Sequence, residues 1–129
     1  MLLSVNKVPK KLGTDTLNKV LDFAEKYLKL NPKLEIHIDF IRTKKFLGQY
    51  EGIDEHGETH YIDISEGESQ EDIIRSIFHE LVHVKQYLKN GMDNYSFKTT
   101  TDYYMLPQEQ EAYFLQEELL KQWDTEKKN

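Results

Sequence analysis

Hydrophobic and polar residues in the first part of the chain follow a helical period. Between Thr14 and Leu28, apolar side chains recur at steps of three and four residues, which places them on one face of a helix. Thr14 or Asp15 is the expected N-cap, and Asn31-Pro32 is the expected end, because the residue before a proline avoids helical backbone angles. The predicted buried stripe consists of Leu17, Val20, Leu21, Ala24, Tyr27 and Leu28.

The pattern then changes to the two-residue period of β-strands. Apolar and polar residues alternate strictly over 34–40, less clearly over 46–53, and again over Thr59–Ile64. Asp54-Glu55-His56-Gly57 is a turn signal between the last two segments, so these two are predicted to form a hairpin. The simplest arrangement of all three is a three-stranded antiparallel sheet.

Two further helices are predicted in the second half of the chain. A helix over Ser69–Asn90 begins with a capping serine followed by acidic residues and stops before Gly91. A polar loop over Met92–Leu106 leads to a third helix from Pro107 to about Trp123, with a frayed tail over 125–129. The expected fold class is α+β, in a single domain over residues 1–129.

The composition argues against several kinds of site and binding partner. The chain has 129 residues and no cysteine, so any metal must be bound by His, Asp or Glu. Its net charge of −6 argues against nonspecific nucleic-acid binding, which relies on clustered lysine and arginine. No apolar run approaches the roughly 20 residues that span a bilayer, and the apolar start is too short for a secretory signal. We therefore expect a cytoplasmic protein that binds neither nucleic acid nor membranes.

The second predicted helix contains the motif H-E-x-x-H, from His79 to His83. Histidines four residues apart project from one helix face, where both imidazoles can bind one tetrahedral zinc ion. Glu80 lies about 100° round the helix from His79, where its carboxylate can act as the general base toward a water molecule activated by the metal. The residues near the histidines are polar: Asp72, Ser76, Gln86 and Asn90. The opposite arc is apolar and is expected in the core: Ile73, Ile74, Ile77, Phe78, Leu81, Val82, Val84 and Leu88.

A catalytic zinc ion needs a third protein ligand, and the third predicted helix offers Glu109 and Glu111. Glu109 falls on the apolar face of that helix, whereas Glu111 lies at its edge beside Glu118. Because a carboxylate on a buried face needs a partner, and a metal ion supplies one, Glu109 is favoured and Glu111 is the alternative. The remaining imidazoles are expected at the surface, in strands or a turn: His37, His56 and His60.

These residues resemble the zincin metallopeptidases, and specifically a minimal gluzincin. In that family the H-E-x-x-H motif is followed, on a later helix, by a glutamate ligand within a pattern like E-x-x-A/S-D, which Glu109-Gln110-Glu111-Ala112 matches in its first four positions. The resemblance implies a zincin-like core: an N-terminal helix, a three-stranded sheet, an active-site helix and a C-terminal ligand helix. It also implies Zn²⁺ as the cofactor and a peptide or protein substrate that lies along a sheet edge, with Thr59–Ile64 as the candidate strand.

The resemblance also suggests supporting roles for tyrosines. Tyr113 stands where the family often has an acidic residue that orients a zinc-binding histidine. The family usually has a Tyr or His that stabilises the oxyanion, and Tyr103 and Tyr104 are the candidates here, with Tyr95 behind them. The Met92–Leu106 loop that carries these tyrosines is the expected specificity element.

The function predicted from these features is that of a zinc metallopeptidase. His79, His83 and Glu109 would bind the metal, and Glu80 would move the proton from water to the leaving amine. Three alternatives stay open at this point: a non-catalytic zinc-binding structural or interaction domain, a metal-free interaction module, and hydrolysis of a different amide such as a cell-wall peptide.

Overall fold

The computed structural model describes residues 2–53, 59–90 and 106–127, which form three helices and one four-stranded mixed sheet. In chain order the elements are β1 (Leu2–Asn6), α1 (Thr14–Leu28), β2 (Glu35–Ile41), β3 (Gly48–Ile53), β4 (Thr59–Ser65), α2 (Gln70–Asn90) and α3 (Pro107–Lys127). The prediction of a fold that mixes helices with a sheet is therefore confirmed. Among the described residues, every helix is too short or too polar to cross a lipid bilayer.

The sheet differs from the predicted three-stranded antiparallel arrangement. Its strand order is β1-β2-β4-β3, in which β1 and β4 both run parallel to β2 and only β3 and β4 are antiparallel. The pairing of β3 with β4 is confirmed, but β2 pairs with β4 instead of β3, and β1 is a strand that the sequence pattern did not reveal. Alternation shows which face of a strand is buried and leaves its neighbour and direction open.

The identity of the edge strand changes accordingly. The predicted edge, Thr59–Ile64, is wrong, because β4 lies inside the sheet between β2 and β3. The edge beside α2 is β3, whose residues contact that helix. A β-bulge between Tyr50 and Gly52 bends this edge, and Gly52 adopts a φ of 105°, a backbone conformation that favours glycine.

The helices begin and end close to the predicted residues, with two differences at their termini. The N-cap of α1 is Gly13, with a φ of 80° and no side-chain hydrogen bond, so neither Thr14 nor Asp15 caps the helix. At the start of α2, the Asp72 backbone N–H donates to Ser69 Oγ at 3.2 Å, which confirms the predicted cap. The third helix continues to Lys127, so the frayed tail predicted from residue 125 is wrong for its first three residues.

The core lies between the sheet and the three helices, and α2 occupies its centre. This helix contacts β3, β4, α1 and α3. Its predicted apolar arc is buried except for Leu88, which is 51% exposed. In α1 the predicted stripe is also buried except for Tyr27, which is exposed. Phe23, which was not predicted to be part of the stripe, is buried. The apolar side of α2 therefore anchors the helix in the core, and its polar side faces α3 and the edge of the sheet.

Candidate metal centre

The two motif histidines and Glu109 converge on one point between α2 and α3. His79 Nε2 and His83 Nε2 are 3.2 Å apart, and Glu109 Oε1 lies 3.1 Å from the first and 3.2 Å from the second. Zinc–nitrogen bonds of about 2.0–2.1 Å in a tetrahedral site separate two ligand atoms by about 3.3 Å. The three side chains thus present one nitrogen or oxygen atom each at the spacing that a metal ion requires.

Glu109, and not Glu111, is the carboxylate that reaches the imidazoles. Glu109 is 2% exposed and its second oxygen lies 3.0 Å from His83 Nε2. Glu111 is exposed and accepts a hydrogen bond from Gln86 Nε2 at 2.8 Å instead. The position of each glutamate on the helix explains the difference, because only the face of α3 that carries Glu109 packs against α2.

Two glutamines orient the imidazole rings. His79 Nδ1 lies 2.7 Å from Gln116 Oε1, and His83 Nδ1 lies 2.7 Å from Gln86 Oε1. Each ring can donate its Nδ1–H to the amide oxygen, which leaves Nε2 with a lone pair directed at the metal position. The helical pattern places Gln86 near the histidines without indicating a role for it. Gln116 was not predicted to belong to the site, although it lies two helical turns after Glu109 on the same face of the helix.

The amide groups of these glutamines can face the rings in one orientation only. Gln86 Nε2 donates to the Gln108 carbonyl at 2.9 Å and to the Glu111 carboxylate, and Gln116 Nε2 donates to Glu117 Oε2 at 2.9 Å. Carbonyl and carboxylate oxygens only accept hydrogen bonds, so each amide nitrogen points away from its histidine and each amide oxygen points toward it. The outer contacts therefore determine which imidazole nitrogen is available to a metal.

The ionisation of the cluster suits a cation-binding site. Burial by itself would raise the pKa of Glu109, but its close contacts with the His79 and His83 imidazoles outweigh burial and lower the pKa to about 2. Burial would lower the pKa of His83, whereas its contacts with Glu109 and Glu80 raise it. Glu109 consequently carries its negative charge throughout the neutral range, which is the form that binds metal ions.

Glu80 is buried beside the cluster and is positioned by the edge strand. It is 4% exposed; burial raises its pKa to about 7, although the nearby imidazoles and a hydrogen bond from the Tyr50 backbone N–H act in the opposite direction. Gly48 lies against its side chain, since a Cβ atom at residue 48 would stand 3.0 Å from Glu80 Oε2 and 3.2 Å from Glu80 Cγ. The absence of a side chain at Gly48 thus leaves the room that the Glu80 carboxylate occupies.

A cleft of about 720 Å³ opens over these residues. One wall consists of the Lys44–Tyr50 segment, α2 forms the floor with the motif residues, and α3 forms the other wall with Glu109 and Tyr113. The Tyr113 ring packs on the His79 ring with a centroid distance of 4.6 Å. Tyr113 therefore contacts a histidine of the motif through its ring.

The other residues singled out in the sequence lie elsewhere. His37 lies on the outer face of the sheet, 3.0 Å from Asp39. His60 is 1% exposed and its Nδ1 lies 2.7 Å from the Tyr50 hydroxyl, so the prediction of a surface imidazole is wrong there. Neither belongs to the metal cluster. Four candidates from the sequence fall outside the described residues, as does almost all of the predicted specificity loop: His56, Tyr95, Tyr103 and Tyr104.

The chain matches no protein-family model, no curated protein and no solved structure. The geometry of His79, His83 and Glu109, together with the motif that contains the two histidines, supports the metal centre.

Exchanging each glutamate for glutamine distinguishes the two candidate ligands. We expect Glu109→Gln to weaken zinc binding by more than about 100-fold, because it removes the charged ligand, a larger loss than outer contacts typically cause. Glu111→Gln keeps an oxygen for Gln86 and should bind zinc nearly as the wild type does. Chelator competition measures both affinities, and a zinc-dependent rise in Tm provides a second measure, since a ligand at 100 times its Kd stabilises by about 2.7 kcal/mol. Strong zinc binding by Glu109→Gln would exclude this carboxylate as a ligand.

Gln116→Met tests the orientation of His79. Methionine has a similar size and cannot accept the Nδ1–H bond, so we expect zinc affinity to fall by about 10- to 100-fold while the fold persists. Gln122→Met is the matched control, because Gln122 is an exposed residue of the same helix. Equal zinc affinities for the two variants would show that the Gln116 contact does not orient the ring.

Proposed function

We propose that this protein is a zinc metallopeptidase of the gluzincin type. The observation that supports it best is the convergence of His79, His83 and Glu109, with separations of 3.0–3.2 Å between ligand atoms, beneath a cleft that also contains the buried Glu80 carboxylate. Two imidazoles and one carboxylate form the ligand set that catalytic zinc uses in several hydrolases. The identity of the metal and the reaction are our inference from that chemistry.

The cleft beside the three ligands supports an active site rather than a structural one. Structural zinc sites are closed by four protein ligands, whereas catalytic sites have three and leave a position for water or substrate. The described residues supply three ligand side chains to this cluster, and the cleft opens beside them. This is the feature that favours catalysis over a non-catalytic zinc domain.

The residues of the cleft have separate tasks in the proposed hydrolysis. When bound, zinc supplies Lewis-acid activation of a water molecule and of the scissile carbonyl. Glu80 accepts the proton of the attacking water on its carboxylate and then donates it to the leaving amine. The buried surroundings of Glu80 keep this carboxylate out of contact with bulk water.

Glu80→Gln tests the role of Glu80 as the base. We expect the variant to bind zinc like the wild type and to lose about 10²- to 10⁴-fold in kcat, because glutamine cannot accept the proton. The measurement is cleavage of a proteome-derived peptide library by zinc-loaded protein, with and without a chelator, together with the zinc content. Glu71→Gln is the control, because Glu71 is an exposed residue in the first turn of the same helix. Wild-type rates in Glu80→Gln would rule out Glu80, and stoichiometric zinc without hydrolysis of any peptide would favour the structural alternative.

Gly48→Ala tests whether the edge strand positions the base. The added methyl group would stand 3.0 Å from Glu80 Oε2 and 3.2 Å from Ile64 Cδ1, so Glu80 must shift by a few tenths of an ångström. We expect kcat to fall by about 10-fold with unchanged zinc affinity, since small displacements of a catalytic group are costly. Gly67→Ala is the matched control, because its nearest contact would be at 3.9 Å. Unchanged kcat in Gly48→Ala would show that the site tolerates the displacement.

A further inference from the structure

One rim of the cleft is positively charged, although the protein has a net charge of −6. Lys44 and Lys45 line the cleft just before the edge strand, and both residues are exposed. Neither ammonium group forms an ion pair within the described part of the chain. Two exposed lysines therefore border the space in which a substrate would lie.

The other charged groups that line the cleft are compensated. The Arg75 guanidinium pairs with Asp72 and lies 2.7 Å from a Glu117 oxygen. The negative charges of Glu80 and Glu109 would be balanced by a divalent cation at the cluster. Among the described residues that line the cleft, Lys44 and Lys45 are thus the cationic side chains without an ion-pair partner.

The described carboxylates near this rim contact other side chains. Glu66 lies 2.7 Å from Arg42 Nε. Glu51 and Asp63 both lie near the Gln49 amide on the sheet face opposite α2, since Asp63 alternates along β4 with core residues. The described residues therefore provide no internal carboxylate for Lys44 and Lys45, and an anionic group from a bound molecule is the complementary partner.

We propose that the cleft selects peptides with aspartate or glutamate side chains at the positions that lie over Lys44 and Lys45. This inference rests on the proposed function, and it names the substrate class of the same site: acidic peptide segments. An acidic side chain would gain two cationic neighbours there, whereas a lysine or arginine in the same place would be repelled.

The contribution of each lysine should be moderate and sensitive to salt. Exposed ion pairs change an equilibrium by about two- to five-fold each, so the pair of lysines should change kcat/KM by about 5- to 20-fold, mainly through KM. The Debye length falls from about 10 Å at 0.1 M salt to about 3 Å at 1 M, so the preference should shrink as salt is added. A preference that arises from apolar contacts would not respond to salt in this way.

The test compares pairs of peptides that differ only by Glu against Gln at one position near the cleaved bond. Zinc-loaded wild type should cleave the acidic member with the higher kcat/KM at low salt, and Lys44→Gln/Lys45→Gln should abolish the difference. Lys44→Glu/Lys45→Glu should reverse it in favour of a lysine-containing peptide. Lys19→Gln/Lys26→Gln is the matched control, because it changes the net charge equally at two exposed residues of α1 that do not line the cleft.

A binding measurement separates this inference from the proposed function. Fluorescence anisotropy of the same peptides on the zinc-loaded Glu80→Gln variant reports charge preference without turnover. Tighter binding of acidic peptides that depends on Lys44 and Lys45 would support the inference even if the wild type cleaved nothing. Equal binding and equal kcat/KM for the paired peptides would overturn it, as would a preference that persists in Lys44→Gln/Lys45→Gln.

Discussion

A buried negative charge facing two imidazoles is the constraint on which the rest of the site depends. Glu109 is 2% exposed, and a carboxylate that is removed from water must be compensated by hydrogen bonds or by positive charge. His79 and His83 meet it from α2, and each ring is held on its far side by a glutamine amide. Glu109 reaches from α3 to both imidazoles of α2, so the cluster ties α2 to α3 at the point where a metal would bind.

The same helix contributes its apolar side to the core and its polar side to the site. The apolar arc of α2 packs on the sheet and on α1, which leaves its polar face no freedom to rotate. The distance between His79 and His83 is therefore set by helix geometry and core packing before any metal binds. Because α2 contributes both to the core and to the ligand set, we infer that the site is pre-organised.

The edge of the sheet positions the proposed base and forms one wall of the cleft. Gly48 and the Tyr50 backbone N–H position the Glu80 carboxylate, and the segment just before them contributes Lys44 and Lys45 to the cleft rim. β4 lies inside the sheet and β3 lies at the edge of the sheet formed by the described strands. The Lys44–Tyr50 segment thus both positions Glu80 and carries the two lysines of the proposed charge preference.

Local periodicity in the sequence by itself determined the three helices and three of the four strands, and the turn signal over 54–57 determined the pairing of β3 with β4. It also determined the His79–His83 spacing and the preference for Glu109, since helix geometry acts over a few residues. Only the tertiary structure decided that β2 and β4 run parallel, that Gly48 faces Glu80 and that Gln116 reaches His79. These contacts join residues far apart in the chain, and periodicity specifies which side of an element is buried but not which element covers it.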